Sequence, residues 1–190
     1  MARESRFRAA APASAWRNVV KTALQCALIW PAFLLVLPAL LIAVEPLVGA
    51  GRFHFPGQAV AGAILFAGFT ALNLATGGVL AVRGRGTPLP LDCPNDLVVT
   101  GPYAHVRNPM AVAGLGQGAA VAVGLGSWMV LVYVLAGAAV WQLVLRPIEE
   151  RDLAGRFGAA YERYRRAVPC WRPRLAPYRH QTVDGRASAP

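Results

Sequence analysis

Two arginines and two adjacent glutamates stand at the ends of a long uncharged run. Arg107, followed by Asn108, precedes residues 109–145, which contain no charged side chain. Arg146, Glu149 and Glu150 follow them. Ionised groups beside so apolar a stretch are costly unless they pair with each other or hold a polar ligand. Interfacial ion pairs, with the side chains snorkelling to water, account for the four residues as charge anchors. A binding site is the alternative, because guanidinium and carboxylate groups form the strongest hydrogen bonds to charged ligands. Glu149 and Glu150 are neighbours, about 100° apart around a helix, so they cannot face the same way. One can face a cavity while the other pairs with an arginine. Asn108-Pro109 reads as a helix N-cap followed by proline in the first helical position. The unpaired amides of that first turn, with Arg107 beside them, could also hold a carboxylate.

Placing these residues together requires particular elements. A single helix of the 37 residues 109–145 would be about 55 Å long, nearly twice the roughly 30 Å of a bilayer's hydrocarbon core. It must therefore turn back, and Gly124-Leu-Gly-Ser-Trp128 is the expected break. The resulting hairpin returns Arg146, Glu149 and Glu150 to the edge where Arg107 starts. Two further uncharged runs, residues 23–44 and 57–82, are each long enough to span. Of the 190 residues 56% are hydrophobic and only 15% charged, against about 25% charged in soluble domains. This argues against a soluble dinucleotide-binding enzyme, a disulfide scaffold and a disordered chain. The formal charge of +10 suits nucleic acid or an anionic membrane surface. The apolar runs decide for the lipid bilayer and against nucleic acid. Cys26, Cys93 and Cys170 are far apart in sequence and lack histidine neighbours, so neither a disulfide nor a metal site is expected.

The expected fold is an all-α membrane protein with about four transmembrane helices. The last two form a hairpin, and an amphipathic interfacial helix follows. One membrane domain would fill residues 1–190. It comprises a basic N-terminus (1–22), two spans (23–82), a loop (83–108), the hairpin (109–145), a C-terminal helix and cap (146–174) and a tail (175–190). Pro31 and Pro38 should kink the first span. Basic residues gather in segments 1–22, 83–108 and 146–190, which places those segments and both termini on the cytoplasmic side. Few lysines among much Ala, Arg and Gly suggest a bacterial inner membrane. Gly62, Ala67, Ala71 and Ala75 would allow close helix approach, and so would Gly114, Gly116 and Gly118, whose GLGQG lacks the strand a nucleotide loop needs. Ile148, Leu153, Phe157, Tyr161, Tyr164 and Val168 form an apolar stripe interleaved with arginines, ended by Pro169. His54, His105 and His180 have no metal-site spacing, and residues 181–190 read as a disordered tail.

The run Leu97-Val-Val-Thr-Gly-Pro-Tyr-Ala-His-Val-Arg-Asn-Pro-Met110 is followed in order by a hairpin, Arg-Pro-Ile-Glu-Glu150, Phe157-Gly158, Tyr161, Tyr164 and Val-Pro169. Together these resemble the isoprenylcysteine carboxyl methyltransferase and phospholipid methyltransferase superfamily over roughly residues 88–174. The resemblance implies a membrane enzyme that binds S-adenosylmethionine in a cytoplasmic pocket and methylates a lipophilic substrate. By motif position, Leu97, Val98 and Tyr103 resemble cofactor contacts, and Asn108, Pro109 and Ala111 line the pocket. Glu150, with Glu149 beside it, resembles the acidic ligand, and Arg146 the substrate-side arginine. Arg107, Arg146 and Glu150 would be the catalytic set. The chain departs from the pattern with Asn108 where His is frequent and Ala111 where Tyr is frequent. Two competitors are an NADPH-dependent membrane reductase of the steroid reductase-like group, whose usual R-H-P-N-Y is missing here, and a non-catalytic four-span protein.

Overall fold

A computed structural model describes residues 13–85 and 93–179. Arg3, Arg6, Arg8, His180, residues 86–92 of the loop and the tail from 180 onward lie outside the described residues. Among the described residues the regular structure is helical, and Arg52 and Ser127 form an isolated bridge. The helices are α1 (Ala15–Pro31), α2 (Leu37–Val44), α3 (Gln58–Arg83), α4 (Pro109–Leu125), α5 (Trp128–Val140) and α6 (Arg146–Ala167). Three helical stretches are long and apolar enough to cross a membrane: Ala15–Val48, Gln58–Arg83 and Trp128–Ala167. In the third, the uncharged part is residues 128–145, and α6 begins beyond it. The shorter apolar helix α4 has 17 residues, about 25 Å of rise.

The chain divides into two compact units. The first comprises Met1–Val19, Ala75–Pro109 and Glu149–Pro190, and the second Val20–Leu74 and Met110–Ile148.

Small residues build the second unit. A Cβ added to Gly114 would collide with the Trp30 ring, one on Gly116 with the Phe69 ring, and one on Gly118 with Val134 at 2.8 Å. The three glycines of GLGQG thus receive side chains from α1, α3 and α5 in turn. A Cβ on Gly62 would stand 2.6 Å from the Gly124 Cα, so α3 and α4 meet almost backbone to backbone. Between them Asn73 donates to Gln117 at 3.1 Å and Gln117 to Thr70 at 2.9 Å, which gives those N–H groups acceptors that lipid could not.

The hairpin turns at Gly126, whose φ of +63° favours glycine, and Ser127 caps α5 by accepting the Val130 amide at 3.0 Å. Gly118 facing Val134 and Gly137 facing Leu115 place α4 and α5 antiparallel about that turn. At Pro31 the first span leaves α-geometry for a π-helical turn, Ala32–Val36, before resuming as α2. The connector after α2 carries an ion pair whose acid is buried. Glu45 is 1% exposed, accepts from Arg52 Nε at 2.8 Å, and receives a short hydrogen bond from the Ser127 hydroxyl.

The first unit is built on α6. Tyr161, Tyr164 and Val168 bury the apolar stripe against Val99, with Leu97, Leu153, Phe157 and Tyr178 packed around them. The stripe therefore covers a protein core, while Arg151, Arg163, Arg165 and Arg166 remain exposed. Gly158 breaks the helix with a φ of +50°, which lets its two halves diverge.

Candidate active site

Three segments of the first unit converge on the end of its loop. A short 3₁₀ turn, Gly101–Ala104, buries Tyr103. Residues 105–108 lead from it into α4, and the start of α6 supplies the glutamates. The stretch after α6 folds back over the loop. Arg107 N donates to Pro169 O at 2.9 Å, Arg174 N to His105 O at 2.9 Å, and Tyr178 N to Ala104 O at 2.9 Å. His105 Nδ1 lies 2.8 Å from Arg174 O. A carbonyl only accepts, so Nδ1 carries the proton. Tyr164 Oη donates to Tyr103 O at 2.7 Å from within the core. Residues 103–107 are thus fixed from both sides by groups that read as core or tail in the sequence.

Within this frame Arg107 Nη2 lies 3.0 Å from Glu150 Oε1, and the side chains are only 11% and 16% exposed. Arg107 Nη1 donates to Arg165 O at 2.7 Å. Arg165 lies 3.9 Å from Glu150 and 3.0 Å from Glu162. Glu150 is therefore shared by two guanidinium groups. Glu149 points elsewhere, as its 100° offset requires, and accepts from Asn108 Nδ2 at 3.1 Å. Burial pushes its carboxyl up to about 7, the Asn108 hydrogen bond acting the other way and the charge of Glu150 adding to the rise. Burial, and after it the charge of Glu149, also pushes the Tyr103 hydroxyl up, so it stays a neutral phenol.

Of the residues singled out by sequence, Leu97, Val98, Tyr103, Arg107, Asn108, Pro109, Glu149 and Glu150 all fall in the first unit. Ala111 and Arg146 belong to the second. Leu97 packs on the tyrosine core, and Val98 lies 3.1 Å from where a Gly84 side chain would begin. Sequence reading missed Arg165 as a partner of Glu150 and Tyr164 as the support of Tyr103. The regular motif spacing of Tyr164 was a usable signal, whereas Arg165 is one basic residue among many.

The arrangement presents a mostly buried ion pair, a neutral phenol and one carboxylate held by a single amide among the described residues. Such a carboxylate attracts a cation or a hydroxyl donor. No group of three or more metal-binding side chains occurs among the described residues. Residues 58–160 match the phospholipid methyltransferase family. A relative in Cupriavidus metallidurans, the cobalt-zinc-cadmium resistance protein CzcN, is 31% identical over 142 residues, which cover 70% of this chain. The match spans 60% of that relative's length. The family match covers just over half of the 190 residues and includes the loop, the hairpin and both glutamates, and the chain belongs to the phospholipid methyltransferase family.

Proposed function

We propose that the protein is an integral membrane methyltransferase that uses S-adenosylmethionine and acts on a lipophilic acceptor drawn from the bilayer. The observation that carries this reading is Glu149, a buried carboxylate with one neutral amide partner, inside a region that matches a methyltransferase family. S-adenosylmethionine, when bound, supplies an electrophilic methyl group on a positively charged sulfur. The donor set suits it: Glu149 offers an anion to its ammonium or ribose hydroxyls, while Tyr103, Leu97 and Val98 offer apolar surface. Pro109 and Ala111 would line the pocket, and Asn108 would hold Glu149 in position. The Arg107–Glu150 pair, buttressed by Arg165, keeps charge near the donor without leaving either partner uncompensated. The amides at the start of α4 add positive potential for the donor's carboxylate. Arg146, one turn before Glu150 on α6, would serve the acceptor side. These residues act mainly by binding, orienting and excluding water, the effects that bring reacting atoms into line.

The same reading treats the whole chain as one catalytic membrane domain, with the site and both termini on the cytoplasmic side of a bacterial inner membrane. The accumulation of arginine in the segments that carry the site supports that orientation. Calorimetric titration of detergent-purified protein with S-adenosylhomocysteine and, separately, with NADPH tests the proposal. Micromolar binding of the first alone is the expected result. Binding of NADPH alone would replace the reading with a reductase, and binding of neither by folded protein would leave the charges as anchors.

A further inference from the structure

Within the second unit, the connector after α2 meets the hairpin turn at one end of the helices. Val48 ends one helical stretch long and apolar enough to cross a membrane, and Gln58 begins the next. The residues between them therefore lie at a bilayer surface, among lipid headgroups. Glu45 and Arg52 are the charged residues of this segment, and they are exposed very differently. The Glu45 side chain is 2% exposed and that of Arg52 41%. The connector thus hides its anion and shows its cation. Glu45 engages Arg52 through Nε at 2.8 Å, which fixes the guanidinium plane. Both terminal nitrogens, with four N–H groups, are left without an acceptor among the described residues. Space around the arginine is open, since a Cβ added to Gly49, Gly51 or Gly57 would meet nothing within 4 Å. Apolar groups stand beside it. The bridge between Arg52 and Ser127 brings Trp128 next to the connector, its ring 4.8 Å from that of Phe53. Trp128 is 53% exposed, and Leu47 on the connector itself 83%.

We propose that Arg52 binds the phosphate of a membrane phospholipid, with Trp128 and Leu47 against the glycerol and the first acyl carbons. A guanidinium held by its Nε edge presents its remaining N–H groups as a fork, the geometry that pairs with phosphate oxygens. A phosphodiester is the anion that a bilayer supplies at this depth, and the exposed indole suits the same interfacial level. The apolar neighbours favour a lipid over a free phosphate, which has nothing to place against them. Because Glu45 and Ser127 hold the arginine in place, the fork is ordered before the lipid arrives, which lowers the cost of binding. The helix from Trp128 through Leu145 puts about 27 Å between this site and Arg146. The inference is therefore independent of the methyltransferase reading.

The test uses the full chain purified in dodecyl maltoside and titrated with three probes, dioleoyl phosphatidylglycerol, dioleoylglycerol and glycerol phosphate, with occupancy read by native mass spectrometry. The phospholipid is expected to bind at least about tenfold more tightly than the diacylglycerol, a charge-assisted hydrogen bond being worth at least about that factor, and glycerol phosphate is expected not to bind measurably. Arg52→Lys keeps a cation beside Glu45 but loses the fork, and should bind the two lipids alike. If Arg52→Lys does not fold, the double variant Glu45→Gln with Arg52→Gln, which leaves no buried charge unpaired, decides in its place and should also bind the two lipids alike. Equal affinity of the wild type for both lipids, or a phospholipid preference that survives in the folded variant, would overturn the proposal. Glycerol phosphate bound as tightly as the phospholipid would overturn the lipid as occupant and leave a site for free phosphate.

Discussion

Each unit holds a buried glutamate, and the two are treated in opposite ways. Glu45, in the second unit, accepts from the Ser127 hydroxyl and from Arg52. Ser127 in turn caps α5, and Phe53 N donates to Gly126 O across the same turn at 2.9 Å. Each oxygen of that carboxylate has its own donor, and the result is a clasp between the connector and the hairpin turn. Glu149, in the first unit, has the Asn108 amide alone among the described residues, although two arginines stand close enough to serve its neighbour Glu150. A fully partnered buried carboxylate is structural reinforcement. An under-partnered one, left out of the ion pairs beside it, is a site kept open for something else.

If that contrast is right, the two glutamates should fail in different assays. The largest expected effect is on folding. Glu45→Ala leaves Ser127 and Arg52 without their anion, and the loss should be about 3 kcal/mol, measured by thermal denaturation in detergent, with the affinity of the remaining folded protein for S-adenosylhomocysteine unchanged. Next comes Glu149→Ala, which should weaken that affinity by about 2 kcal/mol, a charge-assisted hydrogen bond being worth about 1.5–3, with little loss of stability. A reversal of these two outcomes would erase the distinction between the units. Tyr164→Phe should cost about 1 kcal/mol of stability and loosen the Tyr103 turn, seen as faster amide exchange at residues 103–107. A variant with unchanged exchange would remove Tyr164 from the support of the site.

Glu149 also gives stability a pH dependence. The Glu149 carboxyl is raised from 4.5 to about 7 in the folded protein, so the native state holds its proton more tightly than the unfolded chain does. That contribution to stability is fully present below about 4.5 and is lost as pH rises towards about 7. Comparing denaturation of the wild type and Glu149→Gln across that window should isolate this loss, and identical profiles would show that Glu149 titrates normally.

Several of these features were legible in the sequence for a physical reason. The hairpin was forced by length, since 37 uncharged residues cannot cross a bilayer once. Its turn fell at Gly126-Ser127, inside the expected break, because a positive φ and an N-cap each select their residue. The glycines of GLGQG were readable as packing positions for lack of any strand. The divergence of Glu149 and Glu150 followed from helix geometry alone. The Glu45 clasp was not legible, because one acid and one arginine seven residues apart in a short loop have no periodicity that shows burial. The fold of residues 168–178 onto 103–107 was equally hidden, since backbone hydrogen bonds leave no mark on residue type.

The most direct test of the open carboxylate is the affinity for S-adenosylhomocysteine as a function of pH, measured calorimetrically in buffers of differing ionisation enthalpy. If Glu149 receives the ligand's ammonium or hydroxyl groups, affinity rises as pH increases towards about 7 and then levels off, with proton release accompanying binding near that pH. Glu149→Gln abolishes both effects. An affinity independent of pH between 5 and 8, unaltered in Glu149→Gln, would contradict the assignment.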